Sequence, residues 1–288
     1  MTNHTVPCAF GVDPTRKERF SLRQARYYAI AQDMARLIPA ASQRGETIQL
    51  LDVGVWNGVS MRYIEEHNDL GTVEFHGVDL KLRDNLYKRD AWSSLTEGDL
   101  LSGLPFLPSN HFDVVICEQV LEHLPTIDVA LETLSRVLKP GGTMILGVPI
   151  FTPPAQVIRK HAVPVWDRLI GTKKTRGHLQ AFTRGSFLRA MNRYCDVSVQ
   201  QTRGFRTISG GPLRPLENYR WWWQLNCSIG RIAPALCTEI QVVATKNLVH
   251  EPRQPVCALP VEAAIQPSST LLTNAAVRTR TSDVLAPT

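Results

Sequence analysis

Between residues 47 and 150, short and almost wholly apolar segments alternate with amphipathic ones, and few folds accept that rhythm. TIQLLDV, VEFHGVDL, FDVVICEQV and TMILGVPI have strand length and are rich in β-branched residues. VSMRYIEEH and IDVALETLSRVLKPGG have helical spacing. The second places Ile127, Leu131, Leu134 and Leu138 in register, and its glycine pair is expected to stop it. A strand without polar alternation is buried on both faces, so helices have to cover both sides of the sheet. The alternation predicts an α/β fold around a doubly wound, parallel sheet.

Further elements flank this core. From about Thr15 to Ile38, Leu22, Ala25, Ala29, Met34 and Leu37 fall near one helical face, and Pro39 is expected to end the helix. Residues 80–99 read as a looser connection. RGSFLRAMNRY reads as a helix, DVSVQQT as a strand and EIQVVATKN as a late strand. Residues 151–182 and 204–236 interrupt the pattern with prolines, a basic GTKKTRGH and the cluster Trp221, Trp222, Trp223, and are expected to form a lid. Three adjacent residues on a helix point in three directions, so at least one tryptophan should be exposed or interfacial. Residues 1–14 read as a flexible arm. Residues 247–288, rich in Pro, Ala, Ser and Thr without periodicity, are expected to be disordered. The folded domain then spans 15–246, with its ligand-binding core at about 47–150.

The 288 residues allow one sizeable core with additions. No apolar run approaches the roughly 20 residues of a membrane span, and the first residues lack the apolar stretch of a signal peptide. Six cysteines without a CxxC pair suit free thiols in a reducing cytoplasm. The net charge of +6 is uneven: Ile150–Arg231 holds fourteen Arg/Lys against three Asp/Glu. A basic surface there favours phosphate groups, nucleic acid or an anionic membrane face, and Trp221–Trp223 beside LNCSIGRIAPAL would suit peripheral membrane contact.

In a doubly wound sheet, ligands sit at the carboxyl ends of the strands near the switch in strand order. Four features fall at such ends. LDVGVWNG, residues 51–58, is a turn whose Gly54 and Gly58 let the backbone approach a ligand closely. Asp79 closes the second strand, where a carboxylate can accept both hydroxyls of a ribose. Asp99 follows in EGDL, and CEQVLEHL, residues 117–124, ends the FDVVI strand. The spacing that cradles a pyrophosphate, G-x-G-x-x-G, is absent, which argues against a nicotinamide dinucleotide.

In order, LDVGVWNG, GVDL, EGDLLSGLPF, FDVVICEQVLEHL and LSRVLKPGGTMILGVP resemble the class I S-adenosylmethionine-dependent methyltransferases, in particular the type 11 or ubiquinone-methyltransferase-like group. The match runs from about Thr47 to Pro149, and HLQAFTRGSFLRAM resembles the helix after that group's fifth strand. The resemblance implies a Rossmann-like seven-stranded sheet with helices on both faces, an N-terminal helix, and a lid from insertions after strands five and six. It implies S-adenosylmethionine as cofactor, with Asp52, Gly54 and Gly58 lining its methionine end. Asp79 and Leu80 would lie at the ribose, Asp99 and Leu100 at the adenine, and Cys117 and Glu118 beside the methionine portion.

Trp56 departs from the group's pattern, Asp-x-Gly-x-Gly-x-Gly. The turn must use an ordinary backbone angle there or hold Trp56 under strain. Its indole either forms a wall of the pocket, so that Trp56 joins the cofactor site, or packs outward against the N-terminal helix. No Asn/Asp-Pro-Pro-Tyr motif follows the fourth strand, which favours an oxygen or carbon acceptor over an amino group. His123 and His178 are candidate general bases. Some relatives hold a metal with Glu-x-x-Glu-His at this place. Gln119 replaces the first Glu, a poorer ligand, so no metal is expected. The acceptor class implied is a small molecule, a lipid-linked molecule or a glycan. An RNA methyltransferase using the basic half, or a non-catalytic binding protein with this fold, are the alternatives.

Overall fold

The computed structural model describes residues 20–151, 179–207 and 211–248. Seven strands form one sheet: β1 Ile48–Val53, β2 Val73–Asp79, β3 Ser94–Glu97, β4 Phe112–Glu118, β5 Leu138–Pro149, β6 Val197–Phe205 and β7 Glu239–Lys246. Their spatial order is β3-β2-β1-β4-β5-β7-β6. The first five strands run parallel, and β7 inserts antiparallel between β5 and β6. The order reverses between β1 and β4, so a crevice opens above their carboxyl ends.

Helices cover both faces, as continuous apolar strands require. On one side α1 (Ala25–Gln43) and α2 (Val59–His67) bury Ile30, Met34, Met61 and Ile64 against Leu50, Phe75, Val114 and Ile145. On the other, α3 (Asp128–Val137) and α4 (Arg184–Tyr194) bury Leu131, Leu134, Phe187 and Met191 against Leu51, Val115, Leu146 and Val242. Thr183 and Ser186 close a reciprocal capping box at the start of α4, which fixes where that helix begins. A fifth helix, α5 (Arg220–Ile232), packs Trp222 and Trp223 on Phe205 of β6 and on Ala25 and Ala29 of α1. Trp221 stays half exposed, so the three tryptophans divide between core and surface.

Three sequence expectations are corrected. Pro39 does not end α1, which runs on to Gln43. Burial of Ile38 and Ala41 on the sheet outweighs the one hydrogen bond a proline removes. The glycine pair after α3 is not a helix stop. The helix ends at Val137, and Lys139–Gly142 form the kinked start of β5, with Gly141 at φ 79° and a register shift against β4. Ser94–Glu97, read as loose, is a parallel edge strand. Among the described residues of 204–236 none lines the crevice, and α5 borders a different cavity. The N-terminal arm and nearly all of the 247–288 tail and of the 151–182 segment lie outside the described residues.

One row of side chains crosses the sheet. Glu118 on β4 pairs with Gly147 on β5, Gly147 with Gln241 on β7, and Gln241 with Arg203 on β6. Gly147 has no side chain, and a Cβ there would come within 2.1 Å of Glu118 Oε2. Its absence lets the Gln241 amide donate to Glu118 Oε1. Arg203 Nε in turn donates to Gln241 Oε1 at 2.6 Å, and Arg203 Nη2 meets Asp33 of α1 at 2.5 Å.

Candidate functional site

The crevice is a cavity of about 950 Å³ at the carboxyl ends of β1, β2, β3 and β4, with the first turns of α1 as its far wall. Gly54, Trp56, Asp79, Leu80, Asp99, Leu100, Glu118 and His123 all line it. Residues 40 or more positions apart meet here because parallel strands end on one side.

The turn after β1 shapes the floor. Gly54 has φ 82°, and a Cβ there would meet Val120 Cγ2 at 2.2 Å, so only glycine fits. Trp56 adopts φ 51°, a left-handed angle that costs a bulky residue free energy. Its amide donates to Asp79 Oδ2 at 2.8 Å. The indole is half exposed, with the Arg83 guanidinium 5.3 Å from the ring centroid. Gln119, which follows β4, is also left-handed at φ 58°, so the turns after both strands at the switch point each hold a strained non-glycine residue that lines the cavity.

Three expected lining residues do not line it. Asp52 and Cys117 precede lining residues on their strands, and strand alternation turns them to other surroundings. Asp52 is buried and accepts from the Ser60 hydroxyl at the start of α2. Burial pushes its carboxyl up to about 7. Cys117 lies in the core with Val53, Leu121 and Leu146, and burial pushes its thiol up. Gly58 starts α2 at φ 76° and faces Tyr87 and Leu86 instead. His178 lies outside the described residues.

Sequence reasoning missed the wall from α1 and its approach. Arg23, Gln24, Arg26 and Tyr27 line the cavity. Arg26 Nη1 bonds Glu239 Oε2 at 2.8 Å, and its Nε lies 3.4 Å from Glu118 Oε2. No local signal marks these residues, since only the packing of α1 across the sheet ends brings them in. Three buried polar atoms of lining residues have no hydrogen-bond partner and no ion pair: Gln24 Oε1, Asn57 Oδ1 and Gln119 Nε2. Native interiors leave few such atoms unpaired, so this set fits a polar ligand that completes them.

Behind the wall, Glu122 is fully buried and neither carboxyl oxygen has a hydrogen-bond partner. Burial pushes it up to about 7. Its backbone carbonyl accepts from the amides of Leu179 and Gln180 at 2.8 and 3.0 Å, which anchors the chain returning from residues 152–178 beside the cavity. His123 Nε2 lies 3.9 Å from Glu122 Oε1, with about half of its side chain exposed. Among the described residues, no three His, Cys, Asp or Glu side chains are grouped to hold a metal.

Residues 51–146, a third of the chain, match the family model described as Methyltransferase domain. A demethylmenaquinone methyltransferase of Staphylococcus carnosus is 31% identical over 101 residues, 33% of this chain and 41% of that protein. A ubiquinone biosynthesis O-methyltransferase of Xanthomonas campestris pv. campestris is 31% identical over 93 residues, 32% of this chain and 38% of its own. The ubiquinone/menaquinone biosynthesis C-methyltransferase UbiE of Shewanella frigidimarina is 40% identical over 57 residues, 20% and 22%. The chain thus matches these relatives over less than half of their length. The seven-stranded order with β7 antiparallel between β5 and β6 is that of a Rossmann-like α/β sheet.

Proposed function

We propose that this methyltransferase-fold chain transfers a methyl group from S-adenosylmethionine to an oxygen or carbon of a small-molecule acceptor, free or carried on a lipid or glycan. One observation carries the reading. Gly54, Asp79, Asp99 and Glu118, from four strand ends, converge on a single 950 Å³ cavity whose wall atoms lack partners. That volume lies within the range of cofactor sites.

A bound S-adenosylmethionine would supply an electrophilic methyl on its sulfonium. The residues present suit it. Asp79 keeps acceptor capacity beyond its bond to Trp56 and would take the ribose hydroxyls, with Leu80 alongside. Asp99 accepts from the Leu101 amide at 2.9 Å, which steadies it to border the adenine with Leu100. The Gly54 backbone and the Glu118 carboxylate would border the methionine portion, and Trp56 would wall it. Asp52 and Gly58 act indirectly, by shaping the turn. We take residues 15–246 as the domain that performs the reaction.

His123, exposed at the cavity, would accept the proton of a hydroxyl acceptor. The relatives named for ubiquinone and menaquinone favour a small-molecule acceptor, and their names include both O- and C-methyl transfer. Calorimetry with S-adenosylmethionine tests the core of the reading: a Kd well below ~1 mM is expected, and no heat at that concentration removes it. Incubating labelled cofactor with extract fractions should then place label in the small-molecule or lipid fraction. With that acceptor, His123→Ala should lower turnover about 10²-fold or more while cofactor affinity holds. Unchanged turnover would exclude His123 as the base.

A further inference from the structure

A second cavity, of about 880 Å³, lies between α1, β6 and α5. The two cavities share α1 as a wall: Arg23, Gln24, Arg26 and Tyr27 face the first, while Tyr28, Gln32 and Arg36 face the second. Four arginines line the second cavity, Arg36, Arg203, Arg220 and Arg231, and no Asp or Glu does. The nearby Asp33 pairs with both Arg36 and Arg203 and offsets one charge. Arg220 and Arg231 stand three helical turns apart on one face of α5. Among the described residues, neither forms an ion pair.

Between those two arginines lies Trp223, itself buried, whose indole N–H has no hydrogen-bond partner. An orphaned buried donor is costly unless something accepts from it. The cavity therefore carries excess positive charge, with a buried, unpartnered indole N–H in its wall residue Trp223. The next stripe of α5 exposes Trp221, Leu225 and Ile232, an apolar border to the arginine-lined face. Guanidinium forks match phosphate oxygens in geometry as well as charge.

We propose that this cavity binds the phosphate-ester group of a ligand with an apolar body, at a site distinct from the cofactor cleft. A lipid headgroup and a soluble phosphoester share that chemistry. The apolar border accommodates the rest of the molecule. Arg203 reaches Glu118 of the cofactor cleft through Gln241, so the occupied site touches the same row of side chains.

The test uses the full chain with two probes: phosphatidylcholine vesicles with or without phosphatidic acid, and glycerol 3-phosphate. Wild type should bind the phosphatidic acid vesicles at least about tenfold better than phosphatidylcholine alone. Competition by glycerol 3-phosphate assigns the site to soluble phosphoesters, and its failure assigns it to lipid headgroups. The double variant Arg220→Ala, Arg231→Ala should lose the preference. So should Gln224→Glu, which sets a carboxylate among the arginines. S-adenosylmethionine binding in all three proteins reports that the cleft is intact and separates this site from the first. Equal binding of wild type and both variants, or no binding of either probe by wild type, overturns the proposal.

Discussion

Asp79 holds the backbone of Trp56: the Trp56 amide donates to Asp79 Oδ2 at 2.8 Å across the gap between β1 and β2. The carboxylate proposed for the ribose therefore also fixes the turn beside it. Asp79→Asn keeps an acceptor for that amide and removes the charge. It should retain the thermal midpoint while weakening S-adenosylmethionine binding about tenfold. Asp79→Ala should lose both, with roughly 1 kcal/mol of stability from the hydrogen bond. Calorimetry and thermal unfolding of the pair separate the two roles. Full affinity in Asp79→Ala would remove this carboxylate from the cofactor site.

Trp56 sits at φ 51°, where glycine suffers no side-chain penalty. Trp56→Gly should leave stability unchanged or raise it by up to about 1 kcal/mol, because relief of the left-handed angle offsets lost contacts. Trp56→Ala keeps the strained angle and should be less stable than Trp56→Gly. Both should weaken cofactor binding if the indole walls the pocket. Unchanged affinity in both would leave the indole with packing alone.

Gly54→Ala drives a Cβ to 2.2 Å from Val120 Cγ2, at a backbone angle alanine avoids. A loss of roughly 2 kcal/mol or more and near-complete loss of cofactor binding are expected. Val120→Ala in the same chain removes the clash but not the angle, so it should restore part of the stability. No restoration would show that the angle, not Val120, dictates glycine.

Glu122 gives a pH signature. Its folded carboxyl titrates at about 7, against an ordinary value of 4.5, because burial disfavours its charged form. A raised pKa means the folded state binds the proton more tightly. The stability this gives is complete below about 4.5 and is lost as pH rises towards 7. Glu122→Gln lacks that titration. Its stability relative to wild type should therefore grow between pH 5 and pH 8, by on the order of 1–3 kcal/mol. Urea unfolding at both pH values measures this, and a constant difference would show that the carboxyl is not buried unpaired.

The cofactor half was legible because its determinants are local or periodic. Continuous apolar strands fixed the parallel sheet, and Asp79, Asp99 and Glu118 reached the cavity as strand ends must. Periodicity alone did not say which face of a strand end meets the ligand. Asp52 and Cys117 sit one residue from lining positions and point elsewhere. The edge strand Ser94–Glu97 is short, with no buried residue, so it carried no apolar signal. Lys139–Gly142 looked like a helix stop because a glycine pair serves equally for a kinked strand start. The α1 wall was invisible for another reason: Arg26 matters through Glu118 and Glu239, and partners 92 and 213 residues away leave no mark in local sequence.

β7 is the last strand in the chain but inserts between β5 and β6 in space. Its Gln241 steadies Glu118, and its Glu239 holds Arg26. The segment that matches the Methyltransferase domain model ends at residue 146, so a nascent chain carries the whole match long before it owns a finished pocket. Until synthesis passes Lys246, Glu118 has no amide partner and Arg26 has no second carboxylate. Cofactor capture on this reading is a late event in the life of each molecule, and a truncated product would keep the matching segment while lacking the finished pocket.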